Sequence, residues 1–90
     1  MQTINDFIKQ NNLDVSVNFI GSTYVCYIVH EKEKFTFKMT RDSVIEHMRK
    51  FCSKQFVEQQ IKDEKFVKSH FRRLAVTWWY MRIALIDNNQ

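Results

Sequence analysis

Two cysteines and three histidines carry the most reactive side chains of this 90-residue chain. Cys26 and Cys52, with His30, His47 and His70, hold the means for thiolate, imidazole and metal-ligand chemistry. Their spacing argues against all three. The chain contains no Cys-x-x-Cys, no His-x-x-x-His and no His-Glu-x-x-His, so no metal site is expected. Gly21 is the only glycine and there is no proline. No glycine-supported turn is therefore available to present a cysteine or serine as nucleophile, and no glycine-rich loop to cradle a phosphate. The expectation is a protein without catalytic residues, cofactor or small-molecule substrate.

Charge is the stronger signal. Between Lys65 and Arg82 stand Lys65, Lys68, Arg72, Arg73 and Arg82, with His70 and without one acid. These five cations exceed the net charge of the whole chain, +4, while residues 1–40 balance four lysines against four acids. At 100° per residue, Lys65, Lys68, Arg72 and Arg82 fall near one side of a helix, Trp79 lies among them, and Arg73 projects to a flank. Cations so spaced can follow phosphates, and an aromatic face offers stacking or cation–π contact. The ordinary alternative is a solvated helix face whose long side chains cover apolar neighbours. The functional reading is binding of nucleic acid or a nucleoprotein through Lys65, Lys68, Arg72, Arg73, Trp79 and Arg82.

The elements that must position these residues follow from hydrophobic period. Thr3 followed by Asp6 is a capping pair, and Ile4, Phe7 and Ile8 share a face, which predicts a short helix over 3–10 stopped by Asn11-Asn12. From Leu13 the period becomes two: Val15, Val17 and Phe19 alternate with polar residues. Gly21-Ser22 marks a turn. Thr23 to His30 is β-branched and aromatic on both faces, as in a central strand. The tetrad Glu31-Lys32-Glu33-Lys34 forms the next turn, and Phe35, Phe37 and Met39 alternate after it. Three strands with short connections make an antiparallel meander. Its other face, with Thr23, Tyr27, Lys34, Thr36 and Lys38, is that of a sheet wet on one side; reading a groove with it is the less favoured use.

Beyond Thr40 the period returns to 3.6. Thr40, Asp42 or Ser43 (with Glu46) caps a helix striped by Val44, Ile45, Met48, Phe51, Cys52 and Phe56. A break at Lys62-Asp63-Glu64 starts a further helix, although one bent helix over residues 41–86 is the competing possibility. Val67, Phe71, Leu74, Trp78, Met81 and Leu85 then form a seam in steps of four and three, expected to face the sheet with Leu74 and Trp78 at its centre. Val76, Trp79, Ile83 and Ile86 form a second apolar stripe. If no other helix covers it, this stripe predicts a homodimer through Val76, Trp79 and Ile83, with Trp79 meeting its symmetry mate.

The expected fold is thus one α+β domain over residues 1–90: an N-terminal helix, a three-stranded meander and two C-terminal helices (αβββαα). A domain this size buries about 60% of its unfolded surface. The 13-residue apolar run Leu74–Ile86 is shorter than the roughly 20 residues of a membrane span. One cysteine pair is no disulfide framework, and Met1 to Asp6 lack a signal-peptide pattern, so reduced thiols and a cytoplasmic setting are expected.

This element order, with the opening Ile4-Asn5-Asp6-Phe7-Ile8-Lys9, resembles the small phage-encoded anti-CRISPR proteins that block type II-A effector nucleases. The resemblance implies a small inhibitor acting in the cytoplasm of a host cell by protein–protein contact. It covers the order of elements over the whole chain and a sequence likeness in the first helix alone. That family presents acidic residues that imitate DNA, whereas this chain is basic, so the resemblance points to other surfaces, such as guide RNA, and no functional residue transfers.

Overall fold

The computed structural model describes residues 3–88, with side chains described for residues 3–85. Among the described residues seven elements follow one another: α1 (Ile4–Gln10), β1 (Asp14–Ile20), β2 (Thr23–His30), β3 (Glu33–Thr40), α2 (Arg41–Phe51), α3 (Lys54–Gln60) and α4 (Glu64–Asn88). The α+β class and the helix–meander–helix order are as the periods predict. The count of C-terminal helices is not: the stretch after the sheet holds three.

Local chemistry explains each boundary. At the start of α1 the Thr3 hydroxyl accepts from the Asp6 N–H and the Asp6 carboxylate accepts from the Thr3 N–H, a complete capping box. Gly21 supplies the positive φ, +64°, that the two-residue β1–β2 turn requires. The β2–β3 turn is also only two residues long. Glu31 takes φ +58° there without glycine, so Glu33 and Lys34 belong to β3 rather than to the turn. Strand β3 runs into α2 with no loop. Of the three possible caps it is Thr40 that accepts from the Ser43 N–H. The unforeseen break lies at Cys52-Ser53, both extended, where the Ser53 hydroxyl caps α3 by accepting from the Phe56 N–H. Restarting the helix shifts its phase. Val57 is buried, while Phe56 and Phe51, expected in the stripe, are exposed.

The sheet, in order β1-β2-β3, is antiparallel throughout. Its register aligns Val17, Cys26 and Phe37 in one row, and Val15, Ile28 and Phe35 in the next. These residues face the core with Val44, Met48, Val57, Val67, Phe71, Ala75, Val76 and Trp79. Asp14, Ser16 and Asn18 on β1, with Lys34, Thr36 and Lys38 on β3, are exposed on the opposite face.

Helix α4 departs most from expectation. Trp79, not Trp78, is the core tryptophan: it is 3% exposed against 44%, and Met81 and Leu85 are 54% and 61% exposed. Leu74 is half-buried. The inward row is Val67, Phe71, Ala75, Trp79 and Ile83, a strict step of four. Rows of that step slant across a helix surface and suit a helix that crosses what it packs on. The alternating seam keeps to one side and leaves the core halfway along. Trp79 packs edge-on against Phe7, His30 and Phe35, with centroids 6.1, 5.3 and 6.4 Å away. Val76 is 1% exposed and Ile83 is packed against the same core. Of the stripe expected at a dimer contact, Val76 and Trp79 are therefore enclosed within the chain and Ile83 is half-buried. The side chain of Ile86 lies outside the described residues.

Candidate nucleic-acid interface

Lys65, Lys68 and Arg72 are spaced three and four apart on α4, so they share one edge of the helix. Both lysines are exposed and flank a depression of about 250 Å³ whose other walls are Phe19, Tyr24 and Glu64. Arg72 is half-buried and donates through Nη1 to Asn5 Oδ1, 3.1 Å away on α1. Its guanidinium also acts on the Cys26 thiol. Burial pushes that thiol up to about 11, and the Arg72 charge only partly opposes the shift. Cys26 is therefore a protonated core residue at neutral pH.

Two acids stand at this end of the helix: Asp63 Oδ1 accepts from the Lys65 N–H at 3.0 Å, and the charge of Glu64 is engaged by side chains. Arg41 Nη2 donates to Glu64 Oε1 at 2.6 Å, and the Tyr24 hydroxyl donates to Oε2 at 2.9 Å. Arg41 also donates to the Ile61 carbonyl, so one guanidinium ties the start of α2 to the turn before α4. The Arg41 hydrogen bond, then that of Tyr24, hold the Glu64 carboxyl below its ordinary range. Burial, then Glu64, push the Tyr24 phenol up to about 12.

The remaining cations of the run lie elsewhere. Arg73 stands on the other flank of α4, where it lines a cleft of about 420 Å³ with Phe51, Phe56, Phe66 and His70. Arg82 is ten residues beyond Arg72, about 15 Å along the axis. Its guanidinium carbon sits 5.3 Å from the Phe35 ring centroid, a cation–π contact with β3. The expected single face thus resolves into an edge of three cations and two outliers. Trp79 is not a stacking platform, because its ring is enclosed by Phe7, His30 and Phe35. The accessible aromatic beside the basic edge is Phe19, 48% exposed and 4.6 Å from the Tyr24 ring. Its inward position in the alternation of β1 hid it. The readable signal was its place one residue from the strand end, where an edge strand outruns its cover.

His47 Nδ1 and His70 Nε2 lie 2.9 Å apart, linking α2 to α4. Among the described residues, no group of three or more His, Cys, Asp or Glu lies close enough to hold a metal ion, and no helix is long and apolar enough to cross a membrane. Comparison with protein-family models, with curated proteins and with solved structures finds no match to this chain.

Proposed function

We propose that this chain is a non-catalytic binding protein that takes the phosphate backbone of nucleic acid, alone or within a nucleoprotein, along the Lys65–Lys68–Arg72 edge of α4. The observation that carries the reading is a row of three cations on one helix beside the exposed ring of Phe19, where the neighbouring carboxylate of Glu64 is taken up by Arg41 and Tyr24. Hydrogen bonding to Asn5 preorganises Arg72, which lowers the ordering cost of a contact. Arg73 and Arg82 add flanking contacts. A cytoplasmic setting, the host cell's if the chain is phage-encoded, fits two free cysteines.

Three phosphate contacts predict a slope of log K against log salt of about −2.7 on duplex DNA and about −2.1 on a single strand. Fluorescence anisotropy with labelled oligonucleotides measures it. Lys65→Glu with Lys68→Glu should abolish binding and leave the thermal midpoint nearly unchanged, since both side chains are exposed. Binding equal to wild type in the reversed protein would sink the proposal.

A second reading, an anti-CRISPR-like inhibitor acting by protein contact, is favoured by a different flank. Ile4, Phe7, Val76, Thr77 and Tyr80 line a depression of about 400 Å³, and Tyr80 is 56% exposed. Binding there would weaken little with salt and would be lost in Tyr80→Ala.

A further inference from the structure

Phe19 ends a run of three rings that begins in the core. Phe71 of α4 is 1% exposed and stacks on Tyr24 of β2 with centroids 5.3 Å apart, and Tyr24 meets Phe19 at 4.6 Å. The Tyr24 hydroxyl is fixed in turn on Glu64. Phe19, opposite Tyr24 in the register of β1 and β2, is the member that reaches solvent. It does so as a wall of the depression of about 250 Å³ that Tyr24, Glu64, Lys65 and Lys68 complete. That volume is below the roughly 300–1,000 Å³ of sites that enclose a drug-sized molecule. It suits one flat ring system laid on the open face of Phe19, a face already held in place by the rings behind it.

Charge selects which ring. Lys65 and Lys68 line the same depression and are exposed, and Arg72 continues their edge of α4. A ring seated on Phe19 therefore has cations beside it, and a nucleotide meets both demands: its base offers a π-face and its phosphates take the ammonium groups. An aromatic side chain of a protein brings no anion with it. A duplex meets only half of the demand, because its base faces are covered by their neighbours and yield only to an apolar wedge driven between them. Phe19 is the wall of a hollow and packs on Tyr24, so it is no wedge. The base has to come to the ring.

Glu64 decides how closely that base is read. A carboxylate offers about four lone-pair sites. Arg41 Nε donates to both Glu64 oxygens at 3.0 and 3.2 Å, Arg41 Nη2 donates to Oε1 at 2.6 Å, and the Tyr24 hydroxyl donates to Oε2 at 2.9 Å. Glu64 is thus left without a free acceptor for the edge of a base, and stacking sets the affinity.

We infer that this depression takes one unpaired base of a single-stranded nucleic acid, stacked on Phe19 and little discriminated by sequence, with the adjoining phosphates on Lys65 and Lys68. The inference rests on the phosphate-binding reading of the α4 edge and adds to it the strandedness of the ligand.

Fluorescence anisotropy of the full chain tests it with three labelled DNA probes of equal length: a single strand, the same strand made abasic, and a duplex. Removing the bases, or Phe19→Ala with the intact strand, should each weaken binding about 5- to 150-fold, the loss expected of one base–aromatic stack. Phe19→Ala should leave duplex binding and the salt slope unchanged, since every phosphate contact remains. Phe19→Tyr should bind as wild type does. Phe19→Leu, which keeps apolar bulk on Tyr24 but has no ring, should bind as weakly as Phe19→Ala and serves if that variant perturbs the fold. Single strands of one base type should bind within about tenfold of one another. Wild-type affinity in Phe19→Ala and Phe19→Leu, with binding lost in Lys65→Glu with Lys68→Glu, would overturn the inference and leave the phosphate reading standing. An equal loss on the duplex in Phe19→Ala, or a preference for one base well beyond tenfold, would overturn it too. Failure of the wild type to bind any probe would remove both, and leave the hollow to an acidic protein surface.

Discussion

Adjacent tryptophans on α4 have opposite fates, and the difference is energetic as well as geometric. Trp79 fills the junction of α1, β2, β3 and α4, yet its Nε1–H is buried with no acceptor. A buried donor left unpaired costs about 1–3 kcal/mol, which offsets part of what its area contributes. Trp79→Phe removes that donor together with one ring, so its net cost should stay below about 1.5 kcal/mol. Trp79→Ala leaves a cavity and should cost about 3–5 kcal/mol, a large share of a small domain's stability. Trp78→Ala, losing a half-exposed ring with one aromatic neighbour, should cost about 1 kcal/mol. Urea midpoints of the three variants test the ranking. A Trp78→Ala midpoint as low as that of Trp79→Ala would reverse the assignment. Composition and period could not choose between the two rings. Both belong to apolar rows of plausible helical spacing, and only the direction in which α4 crosses its neighbours selects the row in steps of four.

At the scale of elements, those whose ends carry their own chemistry were legible. Thr3 with Asp6, the period-two runs and Gly21 placed α1 and the sheet, and the polar cluster at Lys62-Asp63-Glu64 placed the start of α4. The α2–α3 break was not, because Ser53 does the work that glycine or proline does elsewhere and has no acid three residues on to announce it. Nor was the clasp that closes this region, since Tyr24, Arg41 and Glu64 are 17 and 23 positions apart in sequence. The clasp is sensitive to pH at both ends of the scale. Glu64 has a lowered pKa, so its contribution is present above the ordinary carboxylate value and is lost as pH falls through the lower folded value. Tyr24 has a raised one, so its contribution is present below pH 10 and is lost as pH rises toward about 12. Glu64 is 61% exposed, so screening limits Glu64→Gln to a loss of about 1 kcal/mol at neutral pH. In Tyr24→Phe the fall in thermal midpoint between pH 10 and 12 should be smaller than in wild type. An unchanged fall would assign alkaline sensitivity to other groups.

At the scale of the whole molecule, the sheet and the C-terminal helices are held together by one apolar core with a polar joint set in it. His47 of α2 and His70 of α4 share a hydrogen bond, and the Phe51 ring packs on His47 at a tilt of 34° with ring centroids 4.5 Å apart. A shared proton between two ring nitrogens requires one donor and one acceptor, so the contact cannot survive with both rings charged. Burial, then His47, then Arg73 hold the His70 pKa below its ordinary value. The unfolded chain therefore takes up that proton at a higher pH than the native one. Stability from this joint is complete above about pH 6.5 and declines as pH falls from there through the lower native value. This window lies above that of Glu64, so the two effects separate in one titration. His70→Gln keeps a hydrogen-bonding group toward His47 and removes the proton. Its urea midpoint should change less between pH 7.5 and 5.5 than that of wild type, even if it starts lower at pH 7.5. Because α4 carries the basic edge, loosening the α2–α4 joint would disturb that edge at mildly acid pH. Equal acid loss in wild type and His70→Gln would remove the joint from this account and leave its proton without a role in stability.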